Sequence, residues 1–225
     1  MRPLFIGIRI AGALAVVAAI VGQLLVSLGF WTATEVRDIS TSITNFFSFF
    51  TIQANIASAV TLAIGAVLLL RAAPDAHDPR WFAVLRASVT TYMVTTGVVY
   101  NLLLRGVELP QGSTLSWSNE VLHVAIPILM LVDWLFAPGR TRLGWGVIGI
   151  VVIYPIVWIA YTLVRGPWIF NDLTQELGWY PYPFLNPLGD GGYATVAFWS
   201  AIIAVLIGAA GAGVVAISRT RKAAD

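Results

Sequence analysis

Thr51 and His123 are the residues of this chain best suited to chemistry: a hydroxyl that becomes a nucleophile once a base takes its proton, and an imidazole that can take it near neutral pH. Thr51 belongs to a stripe with Ser48, Asn55 and Ser58, spaced by three, four and three, which a helix places on one face. His123 shares a segment with Asn119, Glu120 and Asp133. Pro127, four residues on, removes the donor that the His123 carbonyl would have met, so a kink is expected there. Each set also has a plainer reading. Ser and Thr bond back to their own helix, Asn ties helices together, a lone histidine bonds to a neighbouring helix, and Asp133 pairs with Arg140 or Arg142.

What must position these residues follows from composition. Of the 225 residues, 58% are hydrophobic and 11% charged, with a mean hydropathy of +0.83, whereas a soluble domain carries roughly 25% charged residues. The chain therefore reads as an all-α polytopic membrane protein, a single domain over residues 1–225. Apolar runs predict six spans, at Leu4–Phe30, Ile43–Leu70, Trp81–Leu104, Trp117–Phe136, Leu143–Val164 and Tyr193–Ile217. The first is too long for the apolar core of a signal peptide and reads as a retained helix. Pro74 and Pro79, Pro110 and Gly112, and Pro138 and Gly139 break the chain between spans. The run Gly208, Ala209, Gly211, Ala212 and Gly213 reads as a close helix-packing face.

The net charge of +2 does not point to nucleic acid, because the basic residues are scattered singly. With no cysteine and two histidines, neither a thiolate site nor a multi-histidine metal site can be built, and no metal or cofactor is expected. Twelve arginines to one lysine suggest a GC-rich bacterial genome.

Arg2, Arg9, Arg71, Arg80, Arg86, Arg140, Arg142, Arg219, Arg221 and Lys222 fall on one side of the six spans, and Arg37, Arg105 and Arg165 on the other. That asymmetry places both termini in the cytoplasm, in a bacterial cytoplasmic membrane. His77 then lies in a cytoplasmic loop as a solvated surface residue. The opposite face carries the long stretch 165–192, with Trp168, Phe170, Trp179, Tyr180, Tyr182 and Phe184 among four prolines. Such a segment is stiff and apolar, and residues 179–185 are expected to cover a cavity holding Thr51 and His123. Counted from the start of their spans, those two residues lie roughly 12 and 9 Å deep, at about 1.5 Å per residue, and so at a common level. Thr91, Thr95, Tyr100 and Asn101 of the third span add further polar groups.

At these residues the chain resembles the family of the androgen-induced gene product and the androgen-dependent TFPI-regulating protein, six-span membrane hydrolases that use a threonine and a histidine. Phe49-Phe50-Thr51, Asn119-x-x-x-His123 followed by Pro127, and Tyr182-Pro183-Phe184-Leu185 carry the likeness, in the same order and with the same span count across nearly the whole chain. The resemblance implies hydrolysis of fatty acid esters of hydroxy fatty acids or related lipid esters, with Thr51 as nucleophile and His123 as base. Tyr182 and Phe184 then fall in a substrate-binding segment, and Asn119 matches a motif position without an assigned role. Asn55 and Asn101 are candidate oxyanion donors. The partners implied are a lipid ester and membrane lipids. The alternative is a small-solute or lipid transporter or binding protein whose polar residues form a path; a structural scaffold would leave the Thr, His and Asn cluster without purpose. Polar groups gathered in the non-cytoplasmic half, with Asp133 the exception, favour the hydrolase over a path through the full bilayer.

Overall fold

The computed structural model describes residues 1–73, 76–107 and 113–220; Pro74, Pro110, Gly112, Arg221 and Lys222 lie outside the described residues. Among them, six helices are long and apolar enough to cross a membrane, and the only strands are a two-stranded antiparallel ribbon, Phe170–Asn171 with Glu176–Leu177. The protein is an all-α polytopic membrane protein. In chain order the helices are α1 (Arg2–Ala33), α2 (Ile39–Ser48), α3 (Phe50–Arg71), α4 (Arg80–Val99), α5 (Ser116–Glu120), α6 (Ile126–Phe136), α7 (Val147–Arg165) and α8 (Gly192–Thr220). A π-turn, Tyr100–Leu104, prolongs α4, and another, Val121–Ala125, joins α5 to α6 in one span.

Helix α4 is the hub. Within its most apolar window 67% of residues are buried, against 22% for α7 and for α8, which lie at the periphery. Its buried face is built largely of small residues, among them Ala83, Ala87, Ser88, Thr90 and Thr91, which let neighbouring backbones approach. Gly65 of α3 does the same: a Cβ there would stand 2.9 Å from the Phe82 ring and 2.8 Å from the Arg9 guanidinium. The small-residue run of α8 behaves differently from expectation. Only Gly211 is buried, facing Thr91 across ordinary van der Waals distance, while Gly208 and Gly213 face open space, because α8 packs on one side only.

Arg2 donates to the carbonyls of Leu69 and Ala72, the Asp78 amide donates to the Gly139 carbonyl, and Leu143 and Arg219 bond across to one another's segments. These bonds gather the start of α1 and the end of α8 on one face, here called the terminal face; the segment between α7 and α8 lies on the opposite, loop face. Near the terminal face a buried charge cluster ties four spans together. Asp133 accepts from Arg9 at 2.7 and 3.1 Å and from Arg86 at 2.8 Å, Arg86 reaches Asp78 at 3.0 Å, and Arg9 also donates to the Gly65 carbonyl at 2.7 Å. The expected partners of Asp133, Arg140 and Arg142, are not the ones it has. Arg140 turns instead to the Trp134 carbonyl, and tertiary neighbours on α1 and α4 take the aspartate. Two of the arginines counted toward the positive face are thus neutralised inside the bundle. His77 is exposed.

Candidate functional site

The second span does not run unbroken from Ile43. It divides at Phe49, whose backbone is extended (φ −64°, ψ 130°), so that Ser48 closes α2 and Thr51 stands in the first turn of α3. Neither proline nor glycine marks the break. Phe49 is held in it by packing, its ring edge-on to Trp179 at 5.7 Å and to Tyr182 at 5.6 Å between centroids. Backbone N–H groups in a first helical turn lack acceptors within the helix and point outward with the positive end of the helix dipole.

Tyr182 answers that opening. Its hydroxyl accepts from the Thr51 backbone N–H at 3.2 Å and pairs with Thr51 Oγ1, also at 3.2 Å. Burial pushes the Tyr182 phenol above the ordinary tyrosine value, so it stays protonated. The 179–185 segment brings it there and covers a cavity that Thr51 lines, although His123, expected in the same cavity, does not line it: Trp179, Tyr180, Tyr182 and Leu185 are buried, and Phe184 stacks on Tyr182 at 5.2 Å. Beneath lies a cavity of about 460 Å³, within the range of small-molecule sites. Thr51, Thr96, Tyr100, Tyr182, Phe184 and Ser200 meet apolar residues of α7 and α8 in its wall. A more polar cleft of about 830 Å³ opens on the loop face, with Asn119, Asn171, Tyr180 and Asn186 in its lining. Tyr100, Leu104 and Tyr182 belong to both walls and divide the two spaces.

The two π-turns place the histidine. The extra residue in each re-aims side chains on facing helices, and the Tyr100 and His123 rings stack at 4.0 Å, 27° from parallel. A π-turn also admits Pro127 without ending the span, and the His123 carbonyl lies 3.5 Å from the Asn101 amide. His123 Nδ1 is 2.9 Å from the Asn119 carbonyl. A carbonyl only accepts, so the proton sits on Nδ1 and Nε2 carries the lone pair a base needs. Asn119 gains a role here: its side-chain amide donates to the Tyr100 hydroxyl while its carbonyl fixes the imidazole.

Thr51 and His123 are not brought into contact. No hydrogen bond joins them among the described residues; Thr51 bonds Tyr182, and His123 is reached from the cavity through Tyr100. The expected oxyanion donors are engaged elsewhere. Asn55 donates to the carbonyls of Thr51 at 2.9 Å and Leu122 at 3.1 Å, which uses its two amide protons as a clamp between α3 and the His123 π-turn. Asn101 is exposed, donates to the Gly97 carbonyl and accepts from Arg105, outside the cavity wall. The donor that the sequence did not reveal is the Thr51 backbone N–H. Its signal, a helix start at Phe50, is invisible in an uninterrupted apolar run.

Glu120, three residues before His123, is exposed and pairs with Arg105 at 2.8 Å. The pair holds the Arg105 guanidinium above its ordinary value, chiefly through the bond to Glu120. Comparison with known proteins finds no matching family model, no matching curated protein and no matching solved structure.

Proposed function

We propose that the protein is an integral membrane hydrolase of lipid esters, with Thr51 as nucleophile and His123 as base. The observation that carries this reading is the hydroxyl and backbone N–H of Thr51, both held by the Tyr182 hydroxyl and presented together at a helix start to an apolar cavity under an aromatic cover. In serine hydrolases the nucleophile's own N–H serves the oxyanion, and the ester carbonyl oxygen here takes the place that the Tyr182 hydroxyl holds at rest. Thr51 Oγ1 then attacks the carbonyl carbon, its proton passes by way of a bridging water to His123 Nε2, and the departing alcohol takes that proton. Water, deprotonated in turn by His123, cleaves the acyl-threonine and releases the acid.

Of the three segments that resemble the androgen-induced gene product family, the α3 start and the cover meet at the Thr51–Tyr182 contact, and the His123 π-turn lies behind Tyr100, which lines the same cavity. That convergence supports the family's substrate class, fatty acid esters of hydroxy fatty acids or related lipid esters. The charge asymmetry supports a bacterial cytoplasmic membrane with the terminal face inside and the loop face outside. The lack of a Thr51–His123 bond favours a second reading, a lipid-binding or transport protein. Treatment of the purified protein with a fluorophosphonate probe decides between them: an adduct on Thr51 that is absent from Thr51→Ala supports the hydrolase, and saturable lipid binding with no Thr51 adduct supports the carrier.

A further inference from the structure

The cavity has an unfinished wall and two unfinished hydroxyls. Ile156 of α7 is 60% exposed although it lines the cavity, and Ala204 of α8 is likewise exposed and lining. On either side of that seam Ile153, Val157, Ile202 and Val205 are exposed apolar residues, the surface a membrane span offers to lipid. The cavity thus opens sideways, between the two peripheral helices and toward the loop face, where Thr51 stands in the first turn of α3 and Tyr100 follows α4.

Inside, Thr96 is 5% exposed and its hydroxyl has no partner, and the buried hydroxyl of Ser200 has none. Serine and threonine in apolar helices ordinarily bond back to a carbonyl one turn earlier, as Ser88, Thr91 and Thr95 of α4 do. Thr61 and Thr90 are unpartnered too, but they do not line this cavity. An unsatisfied buried hydroxyl is costly, and Thr96 and Ser200 carry two such hydroxyls on residues that line this cavity.

We propose that the cavity is loaded from the loop-face leaflet of the bilayer, an acyl lipid passing between α7 and α8, and that Thr96 and Ser200 donate to an oxygen of its acyl linkage. The polar remainder of the lipid lies across Tyr100 and Tyr182 in the loop-face cleft. This deepens the hydrolase reading by naming how its substrate arrives and what holds it, and it stands equally for a carrier.

The test uses Thr51→Ala protein in phosphatidylcholine nanodiscs, so that turnover plays no part, with a monoacylglycerol carrying a chain diazirine as probe. Photolysis is expected to give adducts on cavity residues of α4, α7 and α8. Ile156→Trp and Ala204→Trp should each lower the cavity adducts several-fold while leaving those on the lipid-facing Ile128 unchanged, and Leu173→Trp, in the loop-face cleft, should leave both. Cavity adducts undiminished by either plug, or lost through Leu173→Trp alone, overturn side entry. For the hydroxyls, unlabelled monooleoylglycerol should displace the probe at about one-tenth the concentration of 1-octadecene, as two hydrogen bonds allow. Thr96→Val with Ser200→Ala should bring the two competitors together at an unchanged melting temperature. A preference that survives the double substitution, or is absent from the parent, overturns the subsite; if the double variant melts early, Thr96→Ser, which keeps the hydroxyl, must retain the full preference.

Discussion

Tyr182 holds both polar groups of Thr51 through one phenol oxygen, at 3.2 Å to the backbone N–H and 3.2 Å to Oγ1. A substrate carbonyl cannot reach that N–H until the phenol leaves. Tyr182→Phe keeps the ring against Phe49 and Phe184 and removes the hydroxyl, so the nucleophile rests uncovered. Fluorophosphonate labelling of Thr51 is expected to quicken by roughly five- to tenfold, the factor for about 1 kcal/mol of lost bonding. Slower labelling would mean that the phenol donates in the reaction.

Thr51→Ala should abolish ester turnover, His123→Ala should come close to doing so, and Thr51→Ser should retain measurable activity. In the proposed mechanism the two residues act on one proton, so the double variant should be about as slow as either single variant. Rates that multiply in the double variant would show that His123 serves something other than Thr51.

Asp133 is the centre of the buried charges, and Asp133→Asn leaves Arg9 without a carboxylate and Arg86 with Asp78 alone. A loss of about 3–5 kcal/mol is expected, the scale for breaking a buried pair from one side. Unfolding in mild detergent measures it; a change under 1 kcal/mol would mean that water reaches the cluster.

Asp78 lies between α3 and α4 with its carboxyl raised from 3.8, burial outweighing Arg86. The folded protein therefore binds this proton more tightly than the unfolded chain. Through this group stability falls as pH rises from about 3.8 to the folded value, then levels. Relative to wild type, Asp78→Asn should flatten the curve across that window and nowhere above it. An unchanged slope would mean that Arg86 keeps the carboxylate ionised throughout.

Reporter fusions placed after Ser116 and after Asp225 should give opposite signals, the second cytoplasmic. Matching signals would contradict the six-span arrangement.

The six spans and the aromatic cover over Thr51 were legible because apolar run length and ring content are local properties. The break at Phe49 was not, because it rests on Trp179 and Tyr182, far along the chain. Asp133 misled for the same reason: Arg140 and Arg142 are near in sequence, whereas Arg9 and Arg86 are near in space. Side-chain amides looked like free donors until Asn55 was seen spending both protons on carbonyls.

The buried charges also constrain biogenesis. Arg9 belongs to α1 and Asp133 to a span three crossings on, 124 residues later. Until that fourth span arrives, α1 must wait beside the insertion machinery with a cation that lipid will not accept. A chain truncated after the third span is thus expected to be held there or degraded, and the arginine–aspartate bond would then register the arrival of the fourth span.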